Sequence, residues 1–253
     1  MKSLIYYTVG YNSKYIDLID LSLKTLNYYH PDEFDTILLC DESMYATCKD
    51  RFKNINVISC KNSPTPEAAS MRKLDIFDYN IMDYDKVLFI DSDILIHTKL
   101  DSVLNNITTT NKLYVCQETK NMSDHSLVFW SLLNYTNDDL AFFKENNIYV
   151  FNAGLFGFIP DKTMKIHFDN IRNMIKTYKG EFFYEQSFMN VYFNKLNMLD
   201  YNAISFTTNY VMHPKYNINY EGNIVHFCGG PGNGMSKYNQ EIMYIKAYMK
   251  FIK

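Results

Sequence analysis

Two aspartates separated by one serine close the apolar run Val87-Leu88-Phe89-Ile90. A strand buried on both faces has no reason to end in two carboxylates, because unpaired charges there are strongly disfavoured. Asp91 and Asp93 therefore suit a hard cation: one carboxylate binds directly, the other directly or through water, and the metal neutralises a diphosphate. A D-x-D also occurs at plain solvated turns, but the apolar run ahead of this one argues against that origin. His226 ends the second apolar run, Ile224-Val225-His226-Phe227, where a neutral imidazole could complete the coordination of a divalent metal. Gly229 to Gly234 follow, able to bring backbone N–H groups near phosphate, and Lys237 can add a point charge. Phe151-Asn152-Ala153-Gly154 places Asn and Gly inside an aromatic strand, the mark of a kink where another molecule approaches the backbone. Glu185-Gln186 stand out as polar residues beside Phe182-Phe183-Tyr184, able to bond sugar hydroxyls or face a reacting carbon.

The elements that must position these groups alternate through the first half. Leu4 to Val9, Thr36 to Cys40, Ile55 to Ile58 and Lys86 to Ile90 read as strands. Tyr15 to Leu26 has Ile16, Ile19, Leu23 and Leu26 at amphipathic-helix spacing, and Glu67 opens a helix running through Leu74 and Phe77. Strands alternating with helices predict an α/β layered domain, whose ligands bind at the carboxyl edge of the sheet. In the second half, Leu113 to Cys116 reads as strand and Asn121 to Asn146 as helical or irregular. Ile148 to Phe158 reads as strand interrupted at Asn152 to Gly154. Helices are expected over Lys162 to Tyr178 and Phe182 to Phe193. Asn223 to Phe227 is a late strand, and a closing helix carries Ile242, Ile245, Met249 and Ile252 on one face.

No repeat or linker divides the chain, so residues 1–253 are expected to form one domain. Hydrophobic residues make up 47% and charged residues 21%, which excludes a disordered or fibrous protein. Lys+Arg 25 against Asp+Glu 28 gives a net charge of −3, with no basic excess to drive binding to nucleic acid or anionic lipid. With 22 Tyr and 18 Phe, a lone aromatic carries little functional information, so position must decide. The five cysteines are odd in number and widely spaced, as free thiols of a reducing compartment would be. The N-terminus is too short in apolar residues for a signal peptide, and no stretch reaches the length of a membrane span. A cytoplasmic protein is the expectation.

Taken in order, these motifs resemble glycosyltransferase family 8, the family of glycogenin, the lipopolysaccharide galactosyltransferases and galactinol synthase. The resemblance runs from Thr8 to Lys237. It implies a GT-A fold, a Rossmann-like domain with a mostly parallel central sheet flanked by helices and a smaller antiparallel element near the site. It also implies transfer of a hexose from UDP-glucose, UDP-galactose or UDP-N-acetylglucosamine to a glycan, lipid-linked or protein acceptor, with retention of configuration. Asp91, Asp93 and His226 then match the ligands of Mn2+ or Mg2+, and Asn12 and Tyr15 match the family's Asn and the Tyr whose ring stacks on uracil. Either Arg72 or Lys73 matches the basic residue before the metal strand. Asn152, Ala153 and Gly154 face the donor sugar, while Thr8, Ser92, Gly229 and Lys237 complete the nucleotide-sugar set. Glu185 stands where the family usually has Asp, with Gln186 beside it as the second catalytic candidate. The family's closing motif begins as His226-Phe227-Cys228-Gly229 but gains Gly230 to Ser236 and ends Lys237-Tyr238 without Pro-Trp.

Two rivals remain open at this level. A haloacid-dehalogenase-type phosphohydrolase also ends a buried strand in Asp-x-Asp, with the first Asp as nucleophile. That type carries Thr or Val where this chain has Leu95. A non-catalytic sugar-nucleotide binder would fit the altered Glu185 and tail. A homodimer is open as well.

Overall fold

The computed structural model describes residues 2–121, 136–178, 185–204, 207–209, 224–228 and 236–248. Strands β1 (Ser3–Val9), β2 (Asp35–Asp41), β3 (Asn56–Cys60) and β4 (Lys86–Ile90) lie parallel in the order β3-β2-β1-β4. Strands β6 (Leu113–Asn121), β7 (Tyr149–Phe158) and β8 (Leu199–Asp200) extend this to a seven-stranded sheet, β3-β2-β1-β4-β7-β6-β8, in which β7 runs against its neighbours. A smaller sheet holds β10 (Ile224–His226) between β5 (Ile94–Ile96) and β9 (Thr207–Asn209). Its β10–β5 pair is antiparallel but its β10–β9 pair is parallel, so the expected antiparallel element is in fact mixed.

Alternation of side chains along the strands builds a core on each face of the large sheet. Tyr7, Val9, Leu38, Leu88 and Ile90 meet α1 (Tyr15–Tyr29) through Ile16, Ile19, Leu23 and Leu26, as the spacing predicts. Leu4, Tyr6, Leu39, Val87 and Phe89 meet the opposite layer, α6 (Lys162–Thr177) and α7 (Glu185–Lys195), through Phe168, Phe188 and Met189. The remaining helices are α2 (Glu42–Arg51), α3 (Pro66–Ser70), α4 (Asp101–Asn106), α5 (Asn137–Glu145) and α8 (Lys237–Tyr248). Ile242 and Ile245 of α8 pack with Leu95, Val225 and Phe227. Met249, Ile252, Phe182 to Tyr184 and the Gly229–Gly234 loop lie outside the described residues, as does 122–135 within the stretch left irregular in sequence.

Two elements differ from expectation in ways that matter for the site. The helix expected from Glu67 to Phe77 is a short α3, capped by the Thr65 hydroxyl, followed by a 3-10 helix over Met71–Asp78. Three residues per turn set Leu74 and Phe77 on one line toward the sheet, and successive side chains diverge by about 120°. Strand β7 is not interrupted at Asn152 to Gly154. It stays continuous while its ladder to β6 slips: Val115 pairs with Phe156 and Cys116 with Asn152, leaving Ala153 to Leu155 as a bulge.

Asn190 fastens α7 to that strand. Its Nδ2 donates to Phe151 O at 3.0 Å and to Gln186 O at 3.0 Å, and its Oδ1 accepts from Phe151 N–H at 2.9 Å. Asn190→Ala should strand both buried Phe151 backbone groups and cost about 3 kcal/mol in urea unfolding. A cost below about 1 kcal/mol would mean that the α7–β7 seam is held elsewhere.

Candidate active site

The carboxyl end of β4 delivers Asp91, and the turn into β5 delivers Asp93. His226 closes β10, whose register with β5 sets it opposite Ile94 and next to Asp93, with Nε2 3.2 Å from Asp93 Oδ1. Backbone bonds fix the turn: Asp91 N–H donates to Gly154 O at 2.7 Å, and Phe227 N–H donates to Asp93 O at 2.9 Å. One ligand atom each from Asp91, Asp93 and His226 lie within 4.8 Å of one another.

Gly154 forms the floor beneath them. A Cβ there would sit 2.5 Å from His226 Cε1, 2.8 Å from Asn152 Oδ1 and 3.0 Å from Asp91 Oδ2. The glycine thus makes room for the chain's own His226, Asn152 and Asp91 side chains, where the sequence suggested room for another molecule. Burial pushes the Asp91 carboxyl up to about 6; Lys73 opposes this and the Asp93 charge adds to it. Burial would raise Asp93 too, but Lys237 and His226 outweigh it and hold that carboxyl well below its ordinary value. Two oxygen donors and one imidazole, crowded enough to perturb each other, fit a divalent cation. A second cluster, His30, Glu33 and Asp101, does not. There His30 Nε2 accepts from Leu100 N–H at 2.7 Å and Nδ1 faces Glu33 Oε2 at 2.6 Å, so both ring nitrogens are engaged.

Lys73 links this triad to the helix start at α7. Its Nζ lies 2.7 Å from Glu185 Oε1 and 3.5 Å from Asp91 Oδ1, and donates to Ala153 O at 3.1 Å. The ammonium also sits 4.6 Å from the Phe89 ring centroid. Burial alone would lower the Lys73 pKa, yet the Asp91 and Glu185 carboxylates outweigh it and hold it above the ordinary value. Gln186 Oε1 accepts from Ala153 N–H at 2.9 Å. Glu185 Oε2 and Gln186 Nε2 are buried with no partner among the described residues, leaving one acceptor and one donor unsatisfied. Arg72 turns away, to Asp41 and Ser63. Of the two basic residues left open by the sequence, Lys73 is the one that joins the site.

At the other end, Thr8 is half-buried near the end of β1, and Tyr15 opens α1 with 39% of its surface exposed. Asn12 stands between them, its Oδ1 accepting from Lys14 N–H at 3.0 Å. Ser92 is buried in the turn, and Asn152 Oδ1 accepts from Gly154 N–H at 2.8 Å. Lys237, expected to face a diphosphate, lies directly on Asp93 Oδ2. Gly229 falls outside the described residues.

A family model for glycosyl transferase family 8 matches residues 12–232. The chain belongs to glycosyl transferase family 8. This glycosyltransferase shares its GT-A fold with the galactosyltransferase LgtC, solved with donor and acceptor sugar analogues: TM-score 0.64, 17% identity, covering 98% of this chain and 96% of that one. The bifunctional glycosyltransferase WbbM aligns at TM-score 0.61 and 14% identity, over 99% of this chain but 52% of its own. GlyE of Streptococcus pneumoniae TIGR4 aligns at TM-score 0.60 and 17% identity, over 96% and 60%. No curated protein matches the chain at a significant level. Membership of this family sets the phosphohydrolase rival aside.

Sequence reasoning missed Glu241, on α8 four residues beyond Lys237. It is fully buried, and neither carboxyl oxygen has a partner among the described residues. Its place one turn before Ile245, on the apolar face, was the available signal. Burial pushes its pKa well above the usual value, Asp93 adds to this and Lys237 opposes it. The folded glycosyltransferase therefore binds a proton that the unfolded chain releases, and Glu241 makes stability fall as pH rises above about 4.5. Glu241→Gln has no proton to lose. In thermal and urea unfolding from pH 5 to 8, its stability relative to wild type should rise by up to about 1.4 kcal/mol per pH unit. Parallel pH profiles would show that Glu241 ionises normally in the fold.

Proposed function

We propose that this glycosyltransferase moves a hexose from a UDP-sugar to an acceptor hydroxyl with retention of anomeric configuration, using Mn2+ or Mg2+ at Asp91, Asp93 and His226. The observation that carries the reading is the convergence of that triad with the buried Lys73–Glu185 pair at one sheet edge. Such a cation would supply Lewis-acid charge to both donor phosphates. Tyr15 offers an exposed ring for stacking on uracil, with Asn12 bonded to its N–H and Thr8 upstream near the end of β1 completing the nucleotide side. Lys237 gives a point charge for the diphosphate on moving from Asp93. Asn152, Ala153 and Gly154 line the sugar's side, while Glu185 Oε2 and Gln186 Nε2 take its hydroxyls.

In the reaction, the bond from the anomeric carbon to the phosphate oxygen breaks and the acceptor oxygen bonds the same face. The acceptor's proton passes to the departing phosphate. Lys73 holds Glu185 Oε1 and damps its nucleophilicity, which favours a role in stabilising oxocarbenium-like charge over covalent attack. A covalent intermediate on Glu185 is the alternative. The acceptor hydroxyl in this reading belongs to a glycan, a lipid-linked molecule or a protein. Cys40, Cys48 and Cys60 are buried thiols, and no helix among the described residues is long and apolar enough to cross a membrane. The thiols support work in a reducing compartment, and a cytoplasmic location and one domain spanning 1–253 belong to the same proposal.

Incubation with UDP-glucose, UDP-galactose and UDP-N-acetylglucosamine plus Mn2+ should release UDP from one of them, and EDTA should abolish release. Glu185→Gln should keep UDP affinity within about twofold and lower transfer at least about 100-fold, because the lost charge matters mainly in the transition state. Tyr15→Ala should instead weaken UDP by about tenfold, with a smaller effect at saturation. Tight donor binding without turnover on any acceptor would favour the non-catalytic binder. EDTA-insensitive transfer would remove the metal from the mechanism.

A further inference from the structure

Asp41 ends β2 at the same sheet edge as Asp91, yet it meets no metal ligand. It is 2% exposed and ionised: burial would raise its pKa, but the hydrogen bonds it accepts and the Arg72 charge outweigh that. Its Oδ2 accepts from Tyr11 N–H at 2.8 Å and from Ser63 N–H at 3.0 Å. Its Oδ1 accepts from the Ser63 hydroxyl at 2.9 Å and from Arg72 Nη2 at 2.9 Å. Two donors on each oxygen fill a carboxylate's acceptor capacity, so Asp41 has no lone pair left for a ligand. Arg72 in turn donates to the Lys61 carbonyl and to Ser63 Oγ, closing the loop after β3 over the carboxylate.

The turn that Asp41 grips is the one that carries Asn12 and Tyr15. Gly10 packs flat on the carboxylate: a Cβ there would lie 2.9 Å from Asp41 Oδ1, 3.0 Å from Oδ2 and 3.0 Å from Ser63 Oγ. Tyr11 follows in the left-handed region at φ 62°, a conformation that disfavours a side chain. The bond from Tyr11 N–H to Asp41 holds it there. Asn12 N–H then donates to Gly10 O at 2.6 Å and Tyr15 N–H to Asn12 O at 3.2 Å, so the strained residue sets the start of α1.

We propose that Asp41, braced by Arg72 and Ser63, is a positioning residue that fixes the Gly10–Tyr15 turn and thereby the affinity for the donor's nucleoside. This rests on the reading of Asn12 and Tyr15 as nucleoside contacts. Because Lys73 is held independently by Asp91, Glu185 and Ala153 O, disturbing Asp41 should leave the chemical end of the cleft intact.

The test is calorimetric UDP titration with Mn2+, with steady-state transfer, on Asp41→Asn, Ser63→Ala and Tyr15→Ala. Asp41→Asn should raise the UDP Kd and the donor KM about tenfold or more, with kcat at saturating donor within about twofold and Mn2+ affinity unchanged. Ser63→Ala removes a single hydroxyl from the latch and should raise Kd about threefold, which keeps the test decisive should Asp41→Asn fold poorly. If Tyr15→Ala weakens UDP while Ser63→Ala and any folded Asp41→Asn do not, or if they lower kcat as much as they raise KM, the positioning role is wrong. If Tyr15→Ala itself leaves UDP affinity unchanged, the nucleoside reading beneath it is wrong.

Discussion

The Lys73 ammonium is the charge around which the cleft is organised. A buried cation is tolerated only when its desolvation is repaid by close opposite charge and satisfied donors. Lys73 meets this with Glu185, Asp91 and the Ala153 carbonyl, while its own carbonyl accepts the buried Tyr6 hydroxyl at 3.0 Å. Those partners come from α7, the end of β4, the bulge of β7 and strand β1. This one residue therefore ties α7 to three strands of the sheet at the edge where the acids collect. Without it, Asp91 and Glu185 would be neighbouring anions in a poorly solvated site, and one of them would have to take up a proton or move.

The bulge in β7 shows how backbone irregularity serves the same end. Slipping past β6 frees the Ala153 N–H and C=O, and these are taken by Gln186 and Lys73 in place of ladder partners. Gly154 then lets His226 and Asp91 pass over the strand. His226 arrives from a separate small sheet whose register with β5 is fixed by three residues on each side. Asp91, Asp93 and His226 are thus drawn together from two sheets, which the Asp91–Asp93 turn joins covalently between β4 and β5.

Much of this was legible in the sequence, and what was not has identifiable causes. The run Val87 to Ile90 announced a doubly buried strand, and two aspartates after it announced a site, because few other arrangements tolerate them. The choice between Arg72 and Lys73 was not legible, since an α-helix and a 3-10 helix point adjacent residues along different lines and the local sequence suits both. Asp41 was hidden because one carboxylate after a strand is commonplace; its four donors come from three separate segments. Glu241 was hidden because Lys237-x-x-x-Glu241 reads as a solvated helix pair. The β7 register slip had a cue in Asn152 to Gly154, but sequence shows the irregular place and not whether the strand stops or bulges.

A double-mutant cycle on Lys73→Met and Glu185→Gln, read by urea unfolding, tests the central charge cluster most directly. Lys73→Met alone should cost about 3 kcal/mol or more, because it leaves Asp91 and Glu185 uncompensated. Adding Glu185→Gln should recover a large part of that loss, giving a coupling of about 2 kcal/mol. Costs that simply add, within about 0.5 kcal/mol, would contradict a cleft organised around the Lys73 ammonium.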